Sequence, residues 1–264
     1  MKLDRLTPMA LVGALVCVLG SMVVDGSNPM VLFKPAPLIL VFGGTFAVSM
    51  GGFLKSDVTS VKAIIMQAMG TPEPDPDDDI QTMVHLAEVA RREGLLALEQ
   101  AATEVDDPFF KKAIEMTVDG VDPEEIQDIL ELEISQIRER HRMGAKFFGD
   151  MGGFAPTLGI IGTVVGLIHV LANLNNANAI GPAIGSAFTA TLWGVMSANV
   201  FWLPISNKLK RGSEIEIHSK QMIVEGILAV QAGNSPRMVQ TRLQSYLSVS
   251  AREGLAGNSS EQAA

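Results

Sequence analysis

Four apolar blocks interrupt a chain that is otherwise polar and acidic. They run Leu6–Val24, Ala36–Leu54, Gly152–Leu174 and Ala183–Ile205, and none contains an Asp, Glu, Lys or Arg. About 20 such residues are needed for a helix to cross the hydrocarbon core of a bilayer, so four spans are expected. An even number of spans puts both termini on one side. Met1–Arg5 is charged and precedes an apolar run, as in a signal peptide, but no A-x-A-type cleavage site follows and other spans come later. It reads as a retained first span.

The third and fourth blocks are unlike ordinary Leu/Ile spans. Ala155, Gly159, Gly162 and Gly166 recur at helical spacing, as do Ala183, Ala187, Ala190, Gly194 and Ala198. Small residues let helices approach closely in lipid, where packing and hydrogen bonds drive association. Thr163 and Thr191 lie within these surfaces, and Pro156 and Pro204 lie at the ends of the two blocks. A proline removes a backbone donor and bends a helix. Two readings stand side by side. One is a tightly packed hairpin whose threonines bond their own backbone. The other is a permeation or gating surface, which the matched Thr and Pro on each helix suggest.

Between the second and third blocks the periodicity changes to that of water-soluble helices. Gly70–Asp79 is a loop whose aspartates can cap the next helix. Ile80–Arg92 is amphipathic, Gly94 marks a break or C-cap, and Leu95–Ala102 resumes. Pro108–Val118 follows Asp107 as N-cap. Asp122-Pro123-Glu124-Glu125 opens another helix, with acid at the positive end of its dipole. Ile126, Leu130, Ile134, Ile137 and His141 mark one face, and the helix is expected to run toward the third block with Gly152–Gly153 as a joint. After the fourth block, Ser206–Gln231 is amphipathic, and Ile215, Met222, Ile223, Gly226, Ile227 and Val230 can pack on the insert. Gly233–Pro236 stops it, a last helix spans Arg237–Leu247, and the small polar tail from Ser250 is expected to be disordered. The expected fold is therefore all-α, a polytopic membrane protein. It divides into 1–54 (two transmembrane helices), 55–150 (a cytoplasmic helical insert), 151–205 (two inner transmembrane helices) and 206–264 (cytoplasmic helices and a tail).

Charge gives this layout a direction. Lys2, Arg5, Lys55, Lys62, Arg142, Lys146, Lys208, Lys210 and Arg211 flank one set of ends, whereas the opposite loops carry only Asp25 and Lys34. Cationic loops stay cytoplasmic, so the termini and the insert are expected there. The insert holds 22 acidic and 10 basic residues within a net charge of −9. That argues against nucleic acid as a partner, since phosphates call for a basic face. Cys17 is the only cysteine, so no disulfide framework or cysteine metal site can form. No nucleotide-binding, hydrolase or zinc-protease motif is present, and His85, His141, His169 and His218 lack metal-ligand spacing. An enzyme is not expected, and no bound cofactor. A charge at mid-membrane costs roughly 2.5–3.5 kcal/mol on insertion scales, so carboxylates there are kept for a task. With none in four spans, ion conduction would need an acid from another chain.

At this point the residues themselves carry a resemblance. APTLGIIGTVVGLIHVL, GPAIGSAFTATLWGVMSANVFWLPI, ARREGLLALE (Ala90–Glu99), VDGVDPEEI and MIVEGILAVQAGNSPRMVQTRLQSYL are similar to the MotA/PomA flagellar stator family, in the same order and up to about Leu247. The resemblance implies a multi-pass protein of the bacterial inner membrane. Five copies would surround two copies of a MotB/PomB-type single-span partner that binds peptidoglycan and supplies a membrane aspartate. Transported Na+ or H+ would drive torque on the rotor protein FliG. By the same resemblance Arg91, Arg92 and Glu99 face the rotor, Pro156 and Pro204 act in gating, and Thr163 and Thr191 line the ion path. Hydroxyls at both threonine positions favour sodium over the proton, although Ala190 stands where some sodium-type members have another Thr. Arg91 and Glu99 could share a helix face if Gly94 does not break the helix. The alternatives are a TolQ/ExbB-like channel subunit, expected to have three spans; a solute transporter, whose inverted repeats are not seen; and a passive membrane scaffold.

Overall fold

The structure is a computed structural model and describes residues 2–3, 6–53, 70–71, 76–103 and 105–247. Positions 72–75 of the expected loop at 70–79, the cations Lys55 and Lys62 and the tail from Ser250 lie outside those residues, whereas Pro76–Asp79, expected as loop, are already helical, their acids lying in the first turn where the helix dipole favours them. Helices make up nearly all of what is described. A two-residue antiparallel pairing, β1 (Lys2–Leu3) with β2 (Gly70–Thr71), is the small addition.

Helix α1 (Leu6–Val24) carries no acidic or basic residue. A 3₁₀ turn at Pro29–Leu32 is capped by the Asn28 side chain, which accepts from Met30 N at 2.9 Å. The second apolar block is helical from Pro35 to Met50 in three pieces: α2 (Pro35–Leu38), a π turn (Ile39–Gly43) and α3 (Gly44–Met50). Then come α4 (Pro76–Glu93), a 3₁₀ turn (Leu95–Ala97), α5 (Leu98–Ala102) and α6 (Pro108–Val118). Helix α7 runs unbroken from Pro123 to Ala172. Helix α8 (Ala177–Ser197) leads through a π turn (Ala198–Trp202) into α9 (Leu203–Gln231), and α10 (Pro236–Gln244) closes the described chain. Helix α7 and the α8–α9 run are each long and apolar enough to cross a membrane. Pro8–Val24 and Pro35–Met50 are shorter apolar helices.

The expected joint at Gly152–Gly153 is not there, because α7 continues through it. The reason is packing. A Cβ on Gly152 would lie 2.5 Å from Leu203 Cδ2, and one on Gly149 would lie 3.3 Å from Ser206 Oγ. These glycines let α7 lie close against the start of α9 and are not there for flexibility. Ser206 donates to Ala145 O at 2.7 Å, adding a hydrogen bond to the same contact.

The described residues form two compact units, and α7 and α9 each contribute to both. One draws on Met1–Pro72 and Arg140–Gly212, the other on Glu73–Glu139 and Ser213–Ala264. The first is held by close helix contacts and by aromatic clusters. Trp193 sits edge-on to Phe33 and Phe42 and donates its indole N–H to Leu32 O at 2.7 Å. Phe147 packs edge-on against Phe53 and Phe148.

The second unit has an aliphatic and aromatic core. Met83 and Leu86 of α4, Ile114 of α6, Ile126 and Leu130 of α7, Ile223 and Ile227 of α9, and Leu243 of α10 are all fully buried. Its helix starts are capped as their sequences dictate. Asp107 accepts from Phe109 N at 2.9 Å, Asp122 from Glu124 N at 3.0 Å and Ser235 from Met238 N at 3.3 Å. Lys220 of α9 lies 3.5 Å from Asp107 and stands over the Phe109 ring at 4.6 Å, tying the start of α6 to α9.

Candidate functional site

The small-residue stripes of α7 and α8 face one another. A Cβ on Gly159 would fall 2.9 Å from Ala190 O and 3.1 Å from Gly194 Cα. One on Gly194 would fall 2.7 Å from Ala155 O and 2.9 Å from Gly159 Cα. Both contacts are with backbone, which cannot swing aside. Gly162 and Gly166 are similarly seated against the Ala190 and Ala187 methyl groups. Of the small residues of the stripes, Ala155, Ala187, Ala190 and Ala198 are buried, whereas Ala183 is half-buried.

Thr163 and Thr191 meet at this seam, and their hydroxyls are hydrogen-bonded to each other. Thr163 Oγ1 also lies 3.2 Å from Gly159 O and 3.2 Å from Ala187 O, and Thr191 Oγ1 lies 3.3 Å from Gly159 O. The bond to Gly159 is the local back-bond expected of a helical threonine; the others cross between helices. Each hydroxyl has one proton and two lone pairs. Two protons are therefore shared among two hydroxyl oxygens and two carbonyls, and they can be redistributed without moving a heavy atom. The result is a cluster of four oxygens in a charge-free stretch, half-exposed at the threonines.

Pro156 lies inside α7 and is half-buried. Having no N–H, it leaves the Gly152 carbonyl without its helical donor. Pro204 occupies the first turn of α9, just after the π turn. Leu203, its neighbour, is the residue against which Gly152 packs. His169 is exposed and its carbonyl accepts from Asn173 Nδ2 at 2.8 Å. Asn199 donates to Val195 O at 2.8 Å. Both asparagine amides thus bond the preceding turn of backbone.

The three charges singled out in the second unit are exposed: Arg91 and Arg92 in the last turn of α4, Glu99 in α5. They do not share one helix. Gly94 has φ +89 and ends α4, and a 3₁₀ turn intervenes. The condition on which a shared helix face rested is therefore unmet, because the left-handed backbone at Gly94 redirects the chain. Sequence reasoning also missed three positioning residues. Trp193 clamps the Pro29–Leu32 turn, Lys34 donates to Pro182 O at 3.0 Å, and Ser206 bonds Ala145. An indole within an apolar block needs an acceptor, and that signal was present for Trp193.

A charge-free hairpin whose glycine backbones touch around paired hydroxyls, in a chain with a separately cored acidic unit, has the make-up of a helical membrane protein. A sequence profile of the MotA/TolQ/ExbB proton channel family matches residues 101–222. Motility protein A of Bacillus subtilis is 35% identical over 246 residues, covering 93% of this chain and 91% of that one. The chemotaxis protein PomA of Vibrio alginolyticus is 35% identical over 249 residues, covering 93% and 96%. Among solved structures, the flagellar MotAB stator complex of Bacillus subtilis superposes with a TM-score of 0.89 at 34% identity, covering 96% of this chain and 100% of that one. C. jejuni MotAB gives the same score at 29% identity. The chain belongs to the MotA/TolQ/ExbB proton channel family, and it is accordingly an ion-channel subunit and not an enzyme.

Proposed function

We propose that this chain is the ion-conducting stator subunit of a bacterial flagellar motor. It resides in the inner membrane as a four-span protein with cytoplasmic termini. Five copies surround two copies of a MotB/PomB-type single-span partner, which binds peptidoglycan and brings the membrane carboxylate these helices lack. Ion flow turns the ring of copies, and the acidic unit, through Arg91, Arg92 and Glu99, pushes on the rotor protein FliG. Pro156 and Pro204 supply the bending points near the cytoplasmic ends of the two inner helices.

The observation that carries this reading is the Thr163–Thr191 pair. Its hydroxyls cluster with Gly159 O and Ala187 O in a stretch free of charge. The near-full-length likeness to the Bacillus subtilis flagellar MotAB stator complex supports it. Oxygen atoms in such a cluster can replace water around a hard cation, which favours sodium over the proton. The outward apolar strip of α7, with Ile160, Val164, Ile168 and Leu171 all more than half exposed, supports contact with lipid or a further chain. Because one ion delivers about 2.3 kcal/mol per 100 mV, rotor contacts have to be weak enough to break at each step.

The test is swimming speed against sodium concentration, at fixed pH and ionic strength. The host is a stator-deleted strain expressing this chain with its native partner. Speed that rises with sodium and saturates is the expected result. Speed indifferent to sodium but abolished by a protonophore would keep the motor role and reverse the ion. No swimming, with the complex present in the membrane, would favour a TolQ/ExbB-like role.

A further inference from the structure

Residues 151–207, which hold the Thr163–Thr191 pair and the connection between α7 and α8, contain no Asp, Glu, Lys or Arg. A charge nevertheless reaches this hairpin from elsewhere in the chain. Lys34, half-buried, extends its amine to α8 and donates to Pro182 O at 3.0 Å. The same nitrogen lies 3.6 Å from the place a Gly185 Cβ would take, so it rests on the helix surface near the α7–α8 connection. No carboxylate answers it among the described residues. Asp25, the other charge between the first two apolar blocks, is exposed and makes no ion pair with it.

The hydrogen bond to Pro182 does not by itself call for a cation, since a neutral amide could donate it. The place is also a poor one for a positive charge. Lys34 is the N-cap residue of α2, and Pro182 lies in the second turn of α8, and the N-terminal ends of helices carry positive charge of their own. What the ammonium adds is a field. Pro182 stands nine residues before Thr191, about 13 Å along the helix. Along a stretch with no counter-charge, buried from water and its salt, one charge is weakly screened.

We propose that Lys34 sets how readily a cation arrives at the Thr163–Thr191 pair. Its ammonium, tied to α8 at Pro182, opposes the approach of a positive ion from the end of the hairpin that carries the α7–α8 connection. It thereby raises the ion concentration at which conduction half-saturates and leaves the saturated rate alone. Lys34 is a positioning residue for charge, not a ligand of the ion. The inference rests on the ion-conducting reading above.

The experiment measures initial uptake of the carried ion, sodium or proton, into right-side-out membrane vesicles holding the full chain with its native partner. Rates are taken at and below saturation, at equal amounts of complex. Below saturation, Lys34→Gln is expected to raise the rate about threefold and Lys34→Glu about tenfold, with Lys34→Arg close to wild type. Raising ionic strength with a salt of an ion that is not carried is expected to shrink these differences. Asn178 is exposed and one helical turn before Pro182, so Asn178→Glu offers a carboxylate on the same side of α8 with the Lys34 tie intact. It too is expected to raise the rate below saturation. Equal rates for wild type, Lys34→Gln and Lys34→Glu would overturn the inference and leave the ion-conducting reading standing. A saturated rate lowered alike by Gln and Glu, whatever the salt, would also overturn it and leave Lys34 as a structural tie. No uptake of either ion by wild type would remove the ion-conducting reading and the inference together. If Lys34→Glu fails to assemble, the neutral pair Lys34→Gln and Lys34→Met decides by the same criteria.

Discussion

In the first unit, α7 and α8 meet backbone to backbone: the space where a Gly194 Cβ would sit is closed by Ala155 O at 2.7 Å and Gly159 Cα at 2.9 Å. In the second unit, α9 meets α4 at a glycine too, but Gly226 is covered by the Met83 side chain, with Sδ at 2.9 Å and Cε at 3.0 Å. The same residue type answers two different needs. In lipid no hydrophobic gain separates one apolar surface from another, so helices associate by close contact and hydrogen bonds, and every added atom pushes them apart. In water, burying large side chains is itself the driving force, and a thioether can shift to make room. The close seam also brings the two threonine hydroxyls together.

The sharpest break in this comparison is Gly194→Val. It is expected to abolish swimming and to lower the amount of assembled complex in the membrane, since two backbones would have to separate. Next is Ile227→Ala in the core of the second unit. Deleting a fully buried Ile side chain costs about 2–5 kcal/mol, read as a lower unfolding temperature of the purified complex with ion uptake less affected than by Gly194→Val. Asp107→Ala removes an N-cap and leaves Lys220, whose side chain is 11% exposed, without its carboxylate. The expected cost is about 2–3 kcal/mol, seen as faster hydrogen exchange at the start of α6. The smallest effect is expected for Gly226→Ala. Its contact is with a flexible side chain, and Ala favours the helix over Gly by about 1 kcal/mol, so stability should change by less than about 1 kcal/mol. Comparable damage from Gly194→Ala and Gly226→Ala would erase the distinction between the two units.

Much of this contrast was legible in the residues. The span of α1, the bounds of α6 and the caps at Asp107 and Asp122 all follow from local signals. The stripe of Ala155, Gly159, Gly162 and Gly166 announced a close helix contact, and the structure identifies what it touches. Other features had no local signal. The π turns at Ile39–Gly43 and Ala198–Trp202 interrupt blocks that read as continuous helices. Gly152–Gly153 looked like a joint because glycine also serves flexibility; only the position of Leu203 reveals its use. The threonine back-bond was foreseeable, whereas the bond between Thr163 and Thr191 depends on the register of two helices 28 residues apart in the chain. At Gly94 both continuation and a break had been open, and the positive φ settles the matter in favour of a break.

The most direct measurement of the central claim is sodium uptake into vesicles containing this chain with its native single-span partner, driven by an imposed gradient. Wild type is compared with Thr163→Val and Thr163→Ser at equal amounts of complex. The account predicts that valine, which keeps the shape but removes the hydroxyl, lowers uptake about tenfold, and that serine restores most of it. Uptake equal in wild type and Thr163→Val would contradict the account, leaving the hydroxyl pair as a structural link between α7 and α8.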